Sequence, residues 1–375
     1  MTTFVDTSVL LGDEQAARDQ DPVVVVVRSA QTMLREGLGE SESATFESSF
    51  TEAYDKSEWS RIIDLLLGNS QVVFNKVASA DDVDKVSKTA EGYFEVTLSL
   101  LSKLETVEDV VAKITAFIGT MKGEESSPAV QALKLKLLTT LFATLNPKAQ
   151  LRLLIAKGLC RFASSDLPKL AAPVYTLVKE CDKWLSEFDW DLSNEEKCEV
   201  YGLVAAVAPT GGDKLKYLSL QASIAPETEK SRLNQQLAVE TIRDPVAATS
   251  ISASDKTTVE CLEILSKGSF SDMESFVGSN ESFLVKNGID KSTLLDKMRI
   301  LALGRLARGK RTVPIAEIGT SLKASSPEDV IVKTIRAGVI MGSIDEVEGV
   351  LRIVAVKSSD SSLVSADLKK VVGRL

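Results

Sequence analysis

From Trp59 onward the chain repeats one pattern. Apolar residues recur at a period near 3.6, and short polar breaks separate stretches of about 12–20 residues. Ile62, Ile63, Leu66, Val73 and Val77 form one stripe; Tyr93, Val96, Leu100, Leu101 and Leu104 form the next. Val107, Val110, Val111, Ile114, Phe117 and Ile118 follow. Ser127 then stands as a cap and Pro128 as first helical residue before Val130, Leu133, Leu137, Leu138, Leu141 and Leu145. Asn146-Pro147 breaks the pattern, Leu151 to Phe162 resumes it, and Val174, Leu177, Val178, Cys181, Trp184, Leu185 and Phe188 continue it. Ser193 with Glu196 spells a capping box ahead of Val200, Tyr201, Val204 and Val207. No strand-type alternation precedes residue 310. Helices joined by short loops pack as neighbours, and a run of them with no strict period predicts a mainly α chain, an α-solenoid of degenerate helical repeats. Aromatic residues make up only 5% of the chain, so aliphatic side chains carry this packing.

The two ends read differently. Residues 1–58 are acidic: the first sixty residues hold 12 acids and 4 bases. Val23–Val27 fits either a strand or a buried helical turn, and Gly37–Ser49 is rich in Gly, Ser and Glu and reads as a flexible loop. After Ser292–Arg308, a helix, come a short extended piece at Arg311–Pro314, a short helix at Ile315–Lys323, and a helix opened by Ser326-Pro327 and stopped by Gly342. Ser343–Asp345 and Val350–Val356 flank a Glu348-Gly349 turn and predict a β-hairpin. That order is a winged helix. The expected domains are therefore an acidic segment 1–58, a repeat domain 59–290, a winged helix 291–357, and a linker with a last amphipathic helix (Ser365–Val372) over 358–375.

The residues exclude most catalytic classes. There is no histidine, which removes the commonest general base, the Ser-His and Cys-His pairs, and His metal sites. Cys160, Cys181, Cys198 and Cys261 lack zinc-site spacing and read as buried free thiols in a reducing compartment. Asp81, Asp82 and Asp84 open a helix, where negative charge offsets the dipole. Gly304–Lys310 spells the phosphate loop, but Arg311 stands where Ser or Thr must hold magnesium, and no strand precedes it. No catalytic, cofactor-binding, metal or small-molecule site is expected. The longest apolar run, Val23–Val27, is far short of the about 20 residues that span a bilayer, so no membrane contact is expected either.

Residues 291–311 carry seven bases and the single acid Asp296. The run Arg305, Arg308, Lys310 and Arg311 has two readings: cations at a helix C-terminus, or a contact with RNA or an acidic partner. No aromatic residues interleave there for base stacking. In Ser326–Val339, Glu328 and Asp329 balance Lys333 and Arg336, which disfavours DNA reading.

Helical repeats feeding a winged helix resemble PCI domains, found in the proteasome lid, the COP9 signalosome and eukaryotic translation initiation factor three. Several segments resemble the subunit m family of that factor: Leu133–Phe142, Lys183–Phe188 with the Ser193–Lys197 helix start, Arg243-Asp244-Pro245, Lys297–Leu301, and Glu328-Asp329-Val330. The likeness runs over about residues 130–356, and Phe4-Val5-Asp6 is similar to the family's opening residues. The resemblance implies a cytoplasmic, non-enzymatic scaffold subunit. It would sit among other PCI and MPN subunits, reach the small ribosomal subunit through the complex, and support mRNA recruitment. A signalosome or lid subunit, or a stand-alone winged-helix nucleic-acid binder, is the alternative. Val350–Val356 is apolar on both faces except for Arg352, so Val350, Arg352, Val354 and Val356 are read as a partner-binding edge strand; a Ser365–Val372 helix folded over the strand is the competing reading.

Overall fold

The computed structural model describes residues 39–357 and Leu34, apart from 122–126, 146–149, 166–167, 189, 210, 248–250 and 252. The expectations for Phe4–Asp6, Val23–Val27 and Ser365–Val372 lie outside the described residues. The chain divides into two compact units, Met1–Asp191 and Leu192–Leu375.

In the first unit the described helices are α1 (Glu40–Asp55), α2 (Trp59–Gly68), α3 (Ser70–Ala78), α4 (Val83–Ser99), α5 (Val107–Thr120), α6 (Pro128–Thr144), α7 (Gln150–Ser165), α8 (Ala171–Val178) and α9 (Cys181–Glu187). Each packs on near neighbours in sequence, α4 on α6 and α6 on α7 for example, as repeats do. Most of the apolar stripe residues face inward, but Val107 and Val111 at the start of α5 are exposed. Phe94 lies at the centre, with ring centroids 5.1 Å from Phe74 and 6.1 Å from Phe117. The buried Tyr93 hydroxyl donates to the Leu66 carbonyl (2.6 Å) near the end of α2, which also accepts from the Asn69 amide. Asp82 caps α4 through the Lys85 amide (3.2 Å), and Pro128 opens α6.

The helix α1 corrects the loop reading of Gly37–Ser49. The Ser and Glu content suggested a loop, but Ser43, Phe46, Phe50 and Ala53 recur at helical spacing and are all buried. Glu40 and Glu42 sit in the first turn, where the dipole favours them.

The second unit holds α10 (Asn194–Val207), α11 (Gly212–Ile224), α12 (Glu227–Arg243), α13 (Lys256–Lys267), α14 (Phe270–Ser279), α15 (Glu281–Lys286), α16 (Lys291–Leu306), β1 (Thr312–Pro314), α17 (Ile315–Leu322), α18 (Pro327–Arg336), β2 (Ile340–Asp345) and β3 (Val350–Val356). The Ser193–Glu196 capping box is formed, and a second one, Ser269–Asp272, starts α14. Asp290 caps α16, accepting from the Thr293 amide at 2.8 Å; the Ser292 hydroxyl and that amide hold its carboxyl down to about 2.

The helix α16 explains why the expected boundary at 290/291 is not where the units divide. Its Leu294 and Met298 pack in one core with Ile242, Leu265 and Phe276 of the preceding helices. Its Ile300 and Leu303 pack in another, with Ile318, Ile331, Ile340 and Leu351 of the winged helix. One helix thus serves two cores and ties the last repeats to the module that follows. The helix expected to run to Gly342 ends at Arg336 instead. Gly338 takes φ +68°, a left-handed stop, and β2 starts two residues later.

Candidate assembly surface

The three strands form an antiparallel sheet in the order β1-β3-β2. The hairpin is present, but β3 lies in the centre, which corrects its reading as an edge strand. Because β1 is only three residues long, its cover is partial. Thr312, Val313 and Pro314 pair with Arg352, Leu351 and Val350, and the last bond on that side runs from the Ile353 amide to the Arg311 carbonyl (2.8 Å). Beyond Ile353 no described strand lies against β3 on the β1 side.

The apolar pattern on both faces of β3 has a local cause. Ile340 pairs with Val356, Met341 with Ala355 and Gly342 with Ile353, leaving Val354 without an opposite residue. This β-bulge inverts the alternation. Leu351, Ile353 and Val356 all pack on the core, while Val354 and Ala355 turn to solvent. Gly342 permits the close strand approach there: a Cβ at that position would sit 2.2 Å from the Arg352 carbonyl oxygen. The four residues expected to share one partner-binding face therefore separate. Val350 is half-buried and paired to both neighbouring strands. Arg352 is tied within the hairpin, to Asp345 at 2.8 Å and Glu348 at 3.0 Å. Val356 borders the core. Val354 alone stands out, 76% exposed.

The basic run also separates. Arg305 donates to the carbonyls of Leu265 (2.7 Å), Ser266 (3.3 Å) and Gly268 (2.9 Å), the orphaned acceptors at the end of α13. This corrects its reading as an outward contact. It serves a helix C-terminus, though a neighbour's, not its own. Arg299 does similar work: it reaches the Leu322 carbonyl ending α17, pairs with Asp296 at 2.9 Å and lies over the Phe270 ring. Lys297 is buried and donates to the carbonyls of Thr241 and Ile242 at the end of α12; burial pulls its ammonium down to about 8. Lys310, Arg308 and Arg311 remain at the surface, Lys310 with an ion pair to Glu317 at 3.0 Å.

The surviving members of the two sets meet. Arg308, Lys310 and Arg311, carried by the turn that Gly309 makes at φ +76°, line one side of a groove of about 400 Å³; Ile353 to Val356 line the other. Nothing in the two separate sequence readings placed them together. The signal available was that Arg311 opens the extended piece and so abuts β3.

The phosphate-loop spelling has the wrong context: Gly304 is buried inside α16, against Val339, and Gly309 ends that helix. The four cysteines are buried and in no disulfide, and burial pushes the Cys160 and Cys261 thiols up to about 12, away from nucleophile chemistry. On α18, Lys333 is bound to Asp296 at 2.6 Å.

A family model for the PCI domain matches residues 277–354, from within α14 to within β3. These residues form a PCI domain. Its match starts before the winged helix, in keeping with the shared core across α16. Two curated relatives carry the name "Eukaryotic translation initiation factor 3 subunit M". The one from Dictyostelium discoideum is 26% identical over 264 residues, covering 64% of this chain and 64% of the relative. The one from Pyricularia oryzae is 26% identical over 248 residues, covering 59% and 57%. The match thus spans less than two thirds of the length of either relative. The PCI-domain chain is similar to that subunit family, as the residue segments indicated. Those segments also meet in space. Phe142 and Trp184 are 5.8 Å apart with the Arg152 guanidinium on both rings, and Lys297 caps the helix that ends at Arg243. The shared residues hold the fold together and form no reactive site.

Proposed function

We propose that this chain is a non-catalytic scaffold subunit of eukaryotic translation initiation factor three. It assembles with other PCI and MPN subunits, reaches the small ribosomal subunit through them, and supports mRNA recruitment in the cytoplasm. The observation that carries this reading is the conjunction of the PCI domain with two relatives named as subunit M. The relatives' names favour this complex over the signalosome or the proteasome lid. The chemistry agrees: the chain has no histidine, its described cysteines are buried, and Lys297, Arg299 and Arg305 are engaged inside the protein. The sheet also offers β2, whose outer side has no described strand against it, as a place for a partner strand. Affinity purification of the tagged full chain at native level, read by quantitative mass spectrometry, tests the proposal. Recovery with initiation-factor PCI and MPN subunits and small-subunit ribosomal proteins is the expected result. Recovery as a free chain, or with lid or signalosome subunits, would contradict it.

A further inference from the structure

We propose that Arg152, laid on the rings of Phe142 and Trp184, is the docking point for an acidic side chain, Asp or Glu, of a protein partner. The inference does not depend on which complex the chain joins.

A half-buried guanidinium needs acceptors, because water no longer reaches all of its N–H groups. Among the described residues the half-buried arginines are Arg152, Arg299 and Arg305. Arg299 and Arg305 find helix-end carbonyls, and Arg299 an aspartate as well. Arg152 finds neither. It makes no ion pair or hydrogen bond with a described residue, and its Nε is buried without an acceptor. What holds it is aromatic. Its guanidinium carbon lies 4.2 Å from the ring centroid of Phe142 and 5.2 Å from that of Trp184, two rings that α6 and α9 bring within 5.8 Å of each other. A planar cation laid on such faces is fixed in place and keeps its N–H edge for an acceptor.

The position is unfavourable twice over. Arg152 stands in the first turn of α7, where the helix dipole disfavours a cation. Burial also pulls its pKa below the ordinary value, and no described acid offsets that. A rigid cation kept there without an acceptor is a receptor for an anion from outside, and a carboxylate fits its fork with two parallel hydrogen bonds. The surroundings favour one carboxylate over a phosphate chain. Single-stranded RNA is held by several cations together and by open ring faces that stack its bases. Phe142 is 2% exposed, and the guanidinium itself lies over Trp184. The other cations of α7, Lys157 and Arg161, come five and nine residues later, about 140° and 180° round the helix. Beside Trp184, Lys183 is paired with Glu180, and Asp182 and Glu187 leave α9 net negative. A phosphate chain would run past these acids; a single acidic side chain need not.

Arg152→Lys keeps the charge and gives the site an amine, which a carbodiimide joins without a spacer to a carboxylate in contact with it. The full chain carrying this substitution replaces the wild type in cells, the native complex is purified and treated, and the joined peptides are read by mass spectrometry. The expected product is an amide bond between the new amine and an Asp or Glu of another protein. Lys310 and Glu317, 3.0 Å apart, supply the internal control. The control product with none at the substituted residue, or with one only to an acid of this chain, overturns the proposal. Arg152→Met separates docking from folding. The isolated full chain should melt no lower than the wild type, because an unpaired half-buried charge is gone. The labelled chain should exchange out of the native complex roughly tenfold faster or more. Unchanged exchange overturns the proposal; if the variant exchanges faster but also melts lower, the Arg152→Lys product decides. A difference in exchange that ribonuclease treatment of the complex abolishes would assign the guanidinium to a phosphate and overturn it too.

Discussion

The two ends of the basic stretch 291–311 have similar composition and opposite uses. Lys297, Arg299 and Arg305 point into the protein and bind the carbonyl ends of α12, α17 and α13. Arg308, Lys310 and Arg311, only a few residues on, lie at the surface beside a stretch of β3 that has no described strand on that side. The difference is made by what each cation finds within reach. Helix C-termini present carbonyls without intrahelical partners, and where several converge, a long cationic side chain from a neighbouring element is the cheapest cover. Past Ala307 the helix ends, its last carbonyls are met by the Arg308 and Lys310 amides, and the Lys310 side chain pairs with Glu317 at the surface. A positive run in a sequence is therefore not one feature, and its net charge says little about binding until the internal acceptors are accounted for.

The bulge that shapes the surface half is the most fragile element. Gly342→Ala would put a methyl into the Arg352 carbonyl and should cost about 3 kcal/mol of stability, measured by denaturant unfolding. A loss of a few tenths would mean that β3 has no fixed bulge and that Val354 has no fixed orientation.

Lys297 sharpens the comparison through pH. Its ammonium titrates near 8 when folded and near 10.5 when unfolded. The folded state therefore binds fewer protons between those values, and stability rises with pH across that window. Below pH 8 the cost of the buried charge is fully present; above about 10.5 it is gone. Relative to Lys297→Met, the wild type should gain on the order of 2–3 kcal/mol from pH 8 to 10.5. A pH-independent difference would show that the side chain is hydrated.

Arg305→Leu should cost about 2 kcal/mol, because it strips the end of α13 of its donors, and should leave affinity for any anionic partner unchanged. The surface set should behave oppositely. Arg308→Glu with Arg311→Glu should move unfolding by no more than about 0.5 kcal/mol. If that pair unfolds the module, the division into internal and surface cations fails.

Much of this was readable in advance, for physical reasons. The helices announce themselves because burial on one side imposes a 3.6 period, and Ser193 and Pro128 mark their starts. The hairpin was readable from β-branched residues around Gly349, which takes φ +64°. The first described helix was hidden because its exposed faces are Ser and Glu, and composition outweighed the spacing of Phe46, Phe50 and Ala53. The strand order was hidden because one sequence does not say which strand lies between the others. The bulge was hidden for a related reason: Val354 looks like any strand residue until its partner is known to be two residues on β3 against one on β2. The destinations of Lys297 and Arg305 are set by contacts about forty residues away or more in sequence.

The account's central claim is that Lys297 and Arg305 serve the interior while Arg308, Lys310 and Arg311 lie at the surface. Amide hydrogen exchange of the full chain and its variants tests it most directly. The predicted result is slow exchange near the ends of α12 and α13, accelerated there by Lys297→Met and Arg305→Leu respectively and left unchanged by Arg308→Glu with Arg311→Glu. Exchange at those helix ends that the surface double variant accelerates as much as Arg305→Leu does would contradict the account.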